Sequence, residues 1–301
     1  MLTIAGVRFS LAGLDPTSEF LPPFHPFLLD SKESDLTCEV DSRGPDEALA
    51  TQPSAPDKPW SFTVSRNVCE VVRRNQEGKP LWKITGPLTF DRATVTWEPH
   101  RFTEYYGSYG RAWGTGLGLS LLVLRLRAQG GLVLHGTAAE IDGQGILCVG
   151  ISGTGKSTLA RLLDTAGAKV LTDERPALRQ WPAQGLGTSL SNPFRVYGTP
   201  WPSSAGFARN EWAPLRRLYF LEHGERDRIA PVAPSEAVRR LLHVATIPWQ
   251  DPALLDPCLA TIETLLHAVP CAVLAFRPTP DIVEVIRADL RQPPVPDGRL
   301  G

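Results

Sequence analysis

Cysteine is scarce and unpatterned in this chain. The five residues Cys38, Cys69, Cys148, Cys258 and Cys271 are odd in number, far apart and never spaced Cys-x-x-Cys. Neither a disulfide framework nor a zinc knuckle is expected, and thiols kept reduced in a cytosol fit best. Long apolar runs are missing too. The greasiest segment, Leu117 to Leu124, is closed by Arg125 and falls far short of the roughly 20 residues a bilayer-spanning helix needs. The opening MLTIAGVRFSLAGLDPTSEF is interrupted by Arg8, Asp15 and Glu19, so it does not read as a secretion signal. Charge of one sign is also lacking: 31 Lys plus Arg against 32 Asp plus Glu leave a formal charge of −1. Such a balance creates no global field to hold a polyanion. A cytoplasmic protein with no nucleic-acid partner and no membrane span is expected.

What the sequence does have is enough apolar material for a core, 42% of 301 residues, together with 28 prolines and 26 glycines that punctuate it with turns. Residues 1–112 read as a β-rich region. Trp60 to Val64, Val68 to Val72, Leu81 to Thr85 and Ala93 to Trp97 are short runs of β-branched and aromatic residues between turn formers. Gly44 to Pro59 reads as a loop, being rich in proline and small polar residues. Residues 113–301 read as a second, α/β domain. It begins with a buried helix over Trp113 to Gln129, stopped by Gly130-Gly131. Two strand-like runs follow, Leu132 to Ile141 and Ile146 to Val149, separated by Asp142-Gly143, a strong signal for an antiparallel hairpin. A helix over Ser157 to Ala166, a strand at Lys169 to Thr172, a strand at Leu218 to Leu221, helices over Ser235 to Val244 and Pro252 to Ala268, and a last strand at Ala272 to Phe276 complete the pattern.

Directly after the second hairpin strand stands Gly150-Ile-Ser-Gly-Thr-Gly-Lys-Ser-Thr158, a complete G-x-x-x-x-G-K-[ST] that opens a helix. Its glycines reach backbone conformations closed to other residues, so that successive N–H groups can turn inward around an anion at a helix N-terminus. Gly150, Ser152, Gly153, Thr154, Gly155, Lys156, Ser157 and Thr158 are therefore the candidate nucleotide-binding residues. Lys156 offers a mobile charge to the β- and γ-phosphates of ATP, and Ser157 a hydroxyl to Mg²⁺. Beyond it, at the end of a strand, sit Asp173 and Glu174. One acid can serve the metal side and leave the other to take the proton of an acceptor hydroxyl. His135 lies on the first hairpin strand and can approach the same strand ends. His25, His100, His223, His243 and His267 have no ligand spacing and read as structural. Arg195 and Arg209 are candidate phosphate or substrate contacts. Gly114-Thr-Gly-Leu-Gly-Leu-Ser120 looks like the glycine box of a histidine-kinase ATP lid, but its companion motifs are missing upstream.

The order of these pieces, Leu132-Val-Leu-His-Gly-Thr-Ala, then Ile146 to Thr158, then Val170-Leu-Thr-Asp-Glu, resembles the catalytic domain of HPr kinase/phosphorylase and its kinase-like relatives. About 45 contiguous residues carry the resemblance, with a looser continuation through Asn192 to Trp201 and Ala213 to Leu221. It implies a phosphoenolpyruvate-carboxykinase-type P-loop domain with a mixed sheet, preceded here by the β-rich region. It also implies transfer of the γ-phosphoryl of ATP, with Mg²⁺, to a seryl hydroxyl. Carried over by position, it makes Asp173 the general base, His135 its tuning neighbour, Lys156 the phosphate clamp, and Ser157 and Glu174 metal-side groups. The sequence departs from the family at Glu174, where a second aspartate is usual, and at Ile151, where an acid is common. The family's glycine-rich segment beyond the acids is not recognisable. The expected acceptor is therefore a protein or peptide other than HPr, such as a precursor of a ribosomally made peptide, which some relatives modify. A small-molecule kinase, an ATPase and a non-catalytic nucleotide-binding partner are the alternatives. The oligomeric state is left open, a homo-oligomer being compatible with the sequence.

Overall fold

The computed structural model describes residues 1–12, 22–28, 36–43, 59–107, 109–181 and 193–292. Most of the expected Gly44 to Pro59 loop lies outside them. The chain divides into two compact units, Met1–Gln129 with Ile247–Pro257, and Gly130–Thr246 with Cys258–Gly301.

In the first unit the described residues form a seven-stranded sheet. Its strands are β1 (Leu2–Ile4), β2 (Val7–Ala12), β3 (Leu36–Arg43), β4 (Trp60–Ser65), β5 (Val68–Arg74), β6 (Pro80–Pro87) and β7 (Arg92–Trp97), in the order β1-β2-β3-β7-β6-β5-β4. The four strands expected from β-branched and aromatic runs are β4 to β7, an antiparallel series. Three helices follow: α1 (Pro99–Tyr106), α2 (Tyr109–Thr115) and α3 (Leu117–Arg127). The single helix expected over Trp113 to Gln129 is thus two, and both belong to the first unit, which runs past residue 112 to Gln129. The reason lies in the buried arginines of α3. Arg125 donates to the Thr89 carbonyl and Arg127 to that of Leu88, both on the turn between β6 and β7. The glycine box at Gly114 to Ser120 is the junction of these helices, where Gly118 packs on the Trp113 ring with no room for a Cβ.

The second unit is mixed α/β. Its strands are β8 (Gly131–Val133), β9 (Gly136–Ile141), β10 (Gln144–Val149), β11 (Lys169–Thr172), β12 (Ala177–Gln180), β13 (Phe194–Tyr197), β14 (Trp212–His223), β15 (Arg228–Pro231) and β16 (Cys271–Phe276). Its helices are α4 (Lys156–Thr165), α5 (Pro234–Val244), α6 (Pro252–Ala268), which begins in the first unit's segment, and α7 (Asp281–Leu290). The path β11-β9-β10-β14-β13-β12-β8 runs through one mixed sheet, with β16 beside β14 and β15 beside β16. β9 and β10 pair antiparallel from Gly136↔Val149 to Ile141↔Gln144. Their turn residues Asp142 and Gly143 both have positive φ, 51° and 77°, as a two-residue hairpin turn whose twist matches its strands requires. β10, β14 and β16 run parallel. The core lies against this sheet, where Leu159, Ala160 and Leu163 of α4 and Ile282, Val283 and Ile286 of α7 meet Ile146, Cys148, Tyr219 and Leu274.

Two details of this sheet position the site. The run expected as one strand from Leu132 to Ile141 is broken: Leu132 pairs with Leu178 of β12, whereas Gly136 already pairs with Val149 of β10. His135 sits at the crossing. The carboxyl ends of β10 and β14 lie together, which in open α/β sheets is the usual place for a ligand.

Candidate active site

β10 delivers buried Val149 to the loop that begins at Gly150, and α4 starts at Lys156. Gly153 (φ 86°) and Gly155 (φ 89°) occupy the left-handed region, where a Cβ is penalised by about 1–2 kcal/mol. At Gly155 space is short as well: a Cβ there would lie 2.9 Å from Cζ of Phe276, the last residue of β16. The Thr154 hydroxyl and amide both donate to the Ile151 carbonyl, at 2.9 and 3.4 Å, and close the turn. The amides of Gly153, Gly155, Lys156 and Ser157 have no backbone acceptor among the described residues. They make a rim of donors at a helix N-terminus, which favours an anion.

Lys156 is almost fully buried, and its Nζ donates to the carbonyls of Gly150 (3.0 Å) and Ile151 (2.7 Å). Burial holds its pKa below the ordinary lysine value, with Arg175 acting in the same sense and Glu174 against it. The ammonium is thus solvated by the loop it would serve. The Ser157 hydroxyl has Ser203 Oγ at 3.5 Å, a long contact that leaves its lone pairs available.

The two acids after β11 are placed differently. Asp173 is fully buried. Its Oδ1 accepts from the amides of Ser203 (3.0 Å) and Phe207 (3.2 Å), and its Oδ2 from that of Ala205 (2.9 Å). Its carboxylate anchors the 203–207 loop. Glu174 is partly exposed and lies within electrostatic reach of Lys156. Its Oε2 lies 3.2 Å from His135 Nε2 and its Oε1 3.6 Å from Arg175 Nε. Both oxygens of Glu174, expected on the metal side, are therefore turned to cations or to groups that can become cations. His135 is tied by backbone to the start of the loop. Its carbonyl accepts from the Gly150 amide at 3.4 Å, its amide donates to the Val244 carbonyl at 2.7 Å, and the next amide, of Gly136, donates to the Glu174 carbonyl at 3.1 Å. Burial, Lys156 and Arg175 outweigh Glu174 and hold the His135 pKa below its ordinary 6.5, so the imidazole is neutral near pH 7.

Of the candidate side chains, Lys156, His135 and Glu174 are brought together, with Arg175 beside them. Arg175 has its carbonyl held by the Thr199 hydroxyl at 2.8 Å. The only sequence signal for it is its place directly after the acid pair. His223, read as structural, has Nε2 2.7 Å from the Gly153 carbonyl, and no local motif marks it. Of the candidate phosphate contacts, the Arg195 guanidinium stacks between the Trp181 and Trp212 rings at 3.8 and 3.5 Å, and Arg209 Nε donates to the Val170 carbonyl. A cavity of about 400 Å³ adjoins the loop, walled by Gly150, Ile151 and Thr154, by Phe220 to His223 of β14, and by Arg239, Arg240 and His243 of α5. Its arginines are matched by carboxylates, Arg240 by Glu222 and Glu236 and Arg239 by Glu236.

Among the described residues no group of three His, Cys, Asp or Glu side chains could hold a metal, and no helix is long and apolar enough to cross a membrane. A Mg²⁺ carried on phosphate oxygens needs few protein donors, and the Ser157 hydroxyl is the one that could contact it.

No protein-family model matches the sequence, and no curated protein matches it. Among solved structures, that of the Hpr(Ser) kinase/phosphatase from Coxiella burnetii aligns with 53% of this chain and 99% of its own, at 16% identity and a TM-score of 0.26. That is a distant likeness.

Proposed function

We propose that the chain is an ATP-dependent phosphotransferase that moves the γ-phosphoryl group to a hydroxyl, the acceptor class being a serine of a protein or peptide. The observation that carries this reading is the convergence of Lys156, Arg175 and the His135–Glu174 pair beside a glycine-shaped loop of donor amides. The loop amides and the N-terminus of α4 bind the phosphates, and Lys156 exchanges the carbonyls of Gly150 and Ile151 for phosphate oxygens. Arg175 supplies a second positive charge where charge builds up on the transferred group. His135, neutral because burial and two cations disfavour its charged form, takes the acceptor's proton from oxygen. Glu174 holds the ring and stabilises the imidazolium that results. Asp173 keeps the 203–207 loop, and with it Ser203, against Ser157. Mg²⁺ bound with the nucleotide would neutralise the β- and γ-oxygens. The seryl acceptor follows from the resemblance of residues 132–174 to serine kinases.

The test is incubation with radiolabelled ATP and Mg²⁺, alone and with the products of neighbouring genes. Label on a partner's serine supports the reading, free phosphate alone indicates an ATPase, and binding without turnover a sensor. Lys156→Ala should weaken nucleotide binding at least 10-fold. Arg175→Ala should leave binding within a few-fold and slow transfer by about 10²-fold or more, the scale for removing one preorganised charge-stabilising donor.

A further inference from the structure

The apex of the phosphate loop is held by little of its own. A Cβ on Gly153 would meet nothing within 4 Å, so no packing pins that residue, and its φ of 86° gives it a conformation that side-chain contacts do not enforce. The Ile151 carbonyl that closes the turn accepts from Thr154 twice and from Lys156 Nζ. When Lys156 turns to a phosphate, that oxygen loses its charged donor and keeps only Thr154, whose hydroxyl stands at 2.9 Å and whose amide is at a long 3.4 Å.

His223 supplies what the loop lacks. Its Nε2 stands 2.7 Å from the Gly153 carbonyl. The residue is rooted in the sheet: it pairs with Phe276 across β14 and β16, the Gly224 amide after it donates to the Phe276 carbonyl at 3.3 Å, and Glu222 before it binds Arg240 of α5. A residue rooted in the sheet thus reaches an apex that no side-chain packing pins. The carbonyl of Gly153 and the N–H of Thr154 belong to one planar peptide and point in opposite directions. Fixing the carbonyl toward β14 therefore also aims the Thr154 N–H back at Ile151, and sets the plane of the Gly153–Thr154 peptide. We infer that His223 is a positioning residue of the phosphate loop, donating from Nε2–H to Gly153 and keeping the loop in its nucleotide-ready shape after Lys156 has left the Ile151 carbonyl. A carbonyl has no proton to give, so the contact requires hydrogen on Nε2.

The inference rests on the nucleotide reading of this loop, and the experiment separates the two. In ¹⁵N-labelled, nucleotide-free protein the His223 imidazole should appear as the Nε2–H tautomer. Titration with Mg·ADP should show binding weakened about 3- to 10-fold in His223→Ala and in His223→Phe, the range expected for one net hydrogen bond. His223→Gln, whose amide N–H₂ reaches a similar distance, should return binding to within about 2-fold of the unmodified protein. The thermal midpoint should stay unchanged in all three, because the side chain is exposed. An Nδ1–H tautomer, equal ADP affinity in the Ala and Phe variants, or a Gln variant no better than Ala would each overturn the positioning role. Failure of the unmodified protein to bind ADP would instead remove the nucleotide reading, while the tautomer still decides whether the tether exists.

Discussion

Replacing Asp173 by Asn separates two roles that one carboxylate could play. The resemblance to HPr kinase-like enzymes makes Asp173 the proton acceptor, whereas its surroundings make it an anchor: no exposed surface, and three amide donors from Ser203, Ala205 and Phe207. An asparagine keeps one acceptor oxygen and offers an NH₂ at the other. Turned one way, that NH₂ faces the Ala205 amide; turned the other way, it faces those of Ser203 and Phe207. In the better orientation one N–H loses its acceptor, at about 1–3 kcal/mol, and the two surviving bonds lose their charge assistance, at about 1 kcal/mol each. Water can reach parts of the 203–207 loop, which places the expected loss near the lower end of that sum, about 3–4 kcal/mol. Urea unfolding should show the midpoint fall, and amide exchange at Ser203, Ala205 and Phe207 should accelerate. Transfer should drop because the loop bearing Ser203 no longer sits against Ser157. The anchor reasoning is refuted if Asp173→Asn unfolds at the unmodified midpoint with unchanged exchange in this loop while transfer falls about 10²-fold or more, the scale of a lost general base.

Two further predictions concern the other side of the loop. If neutral His135 takes the proton, kcat/KM should fall as pH drops through a His135 pKa that lies below 6.5. Glu174 favours the imidazolium, so Glu174→Gln should carry this acid limb to lower pH, and Arg175→Ala, which removes a repelling cation, should carry it up; a limb that moves the opposite way in either variant rejects His135 as the titrating group. The same depressed value stabilises the fold above the unfolded histidine's pKa, and that stability is lost as pH falls through the folded one. Gly155→Ala should destabilise by about 1–3 kcal/mol, from the left-handed backbone together with the Phe276 ring that must move. In urea unfolding, the pair Gly155→Ala with Phe276→Ala should cost less than the sum of the two single changes, and strict additivity would show that the ring is not the obstacle.

The parts of the fold legible in the sequence are those that short segments decide by themselves. Asp142-Gly143 specifies its turn through two positive φ values, and β4 to β7 carry the β-branched and aromatic residues that suit a half-buried pleat. The parts that were not legible depend on partners distant in sequence. β13 reads as a proline-flanked loop because Phe194 to Tyr197 is short, and only pairing with β12 and β14 makes it a strand. The break at His135 carries only the faint local signal of Gly136 within an otherwise strand-like run; it arises because β12 claims one end and β10 the other. Likewise, α3 follows the β-rich unit because Arg125 and Arg127 find the carbonyls of Thr89 and Leu88, a match of donors and acceptors some 36 and 39 residues apart.

The site divides along the same line. A phosphate loop is a contiguous device: nine residues carry its conformation, its donors and its charge, so its sequence is nearly its structure. Catalytic assignments beside it are relational, and two adjacent acids cannot be told apart by spacing. Asp173 and Glu174 follow β11 in a bend and send their side chains to different surroundings. One therefore enters the interior, where only a set of amides makes a buried charge tolerable. Its neighbour turns to the loop, where Lys156, Arg175 and His135 surround it. The interior position is filled by a carboxylate already spent on three N–H groups, and the outer one by a carboxylate whose partners are cations or can become so. A proton leaving an acceptor hydroxyl would raise the positive charge of the outer cluster while the transferred phosphoryl adds negative charge beside it. On the proposed reading, the pair His135–Glu174 would lie where those two changes offset each other, whereas Asp173 is held by the 203–207 loop.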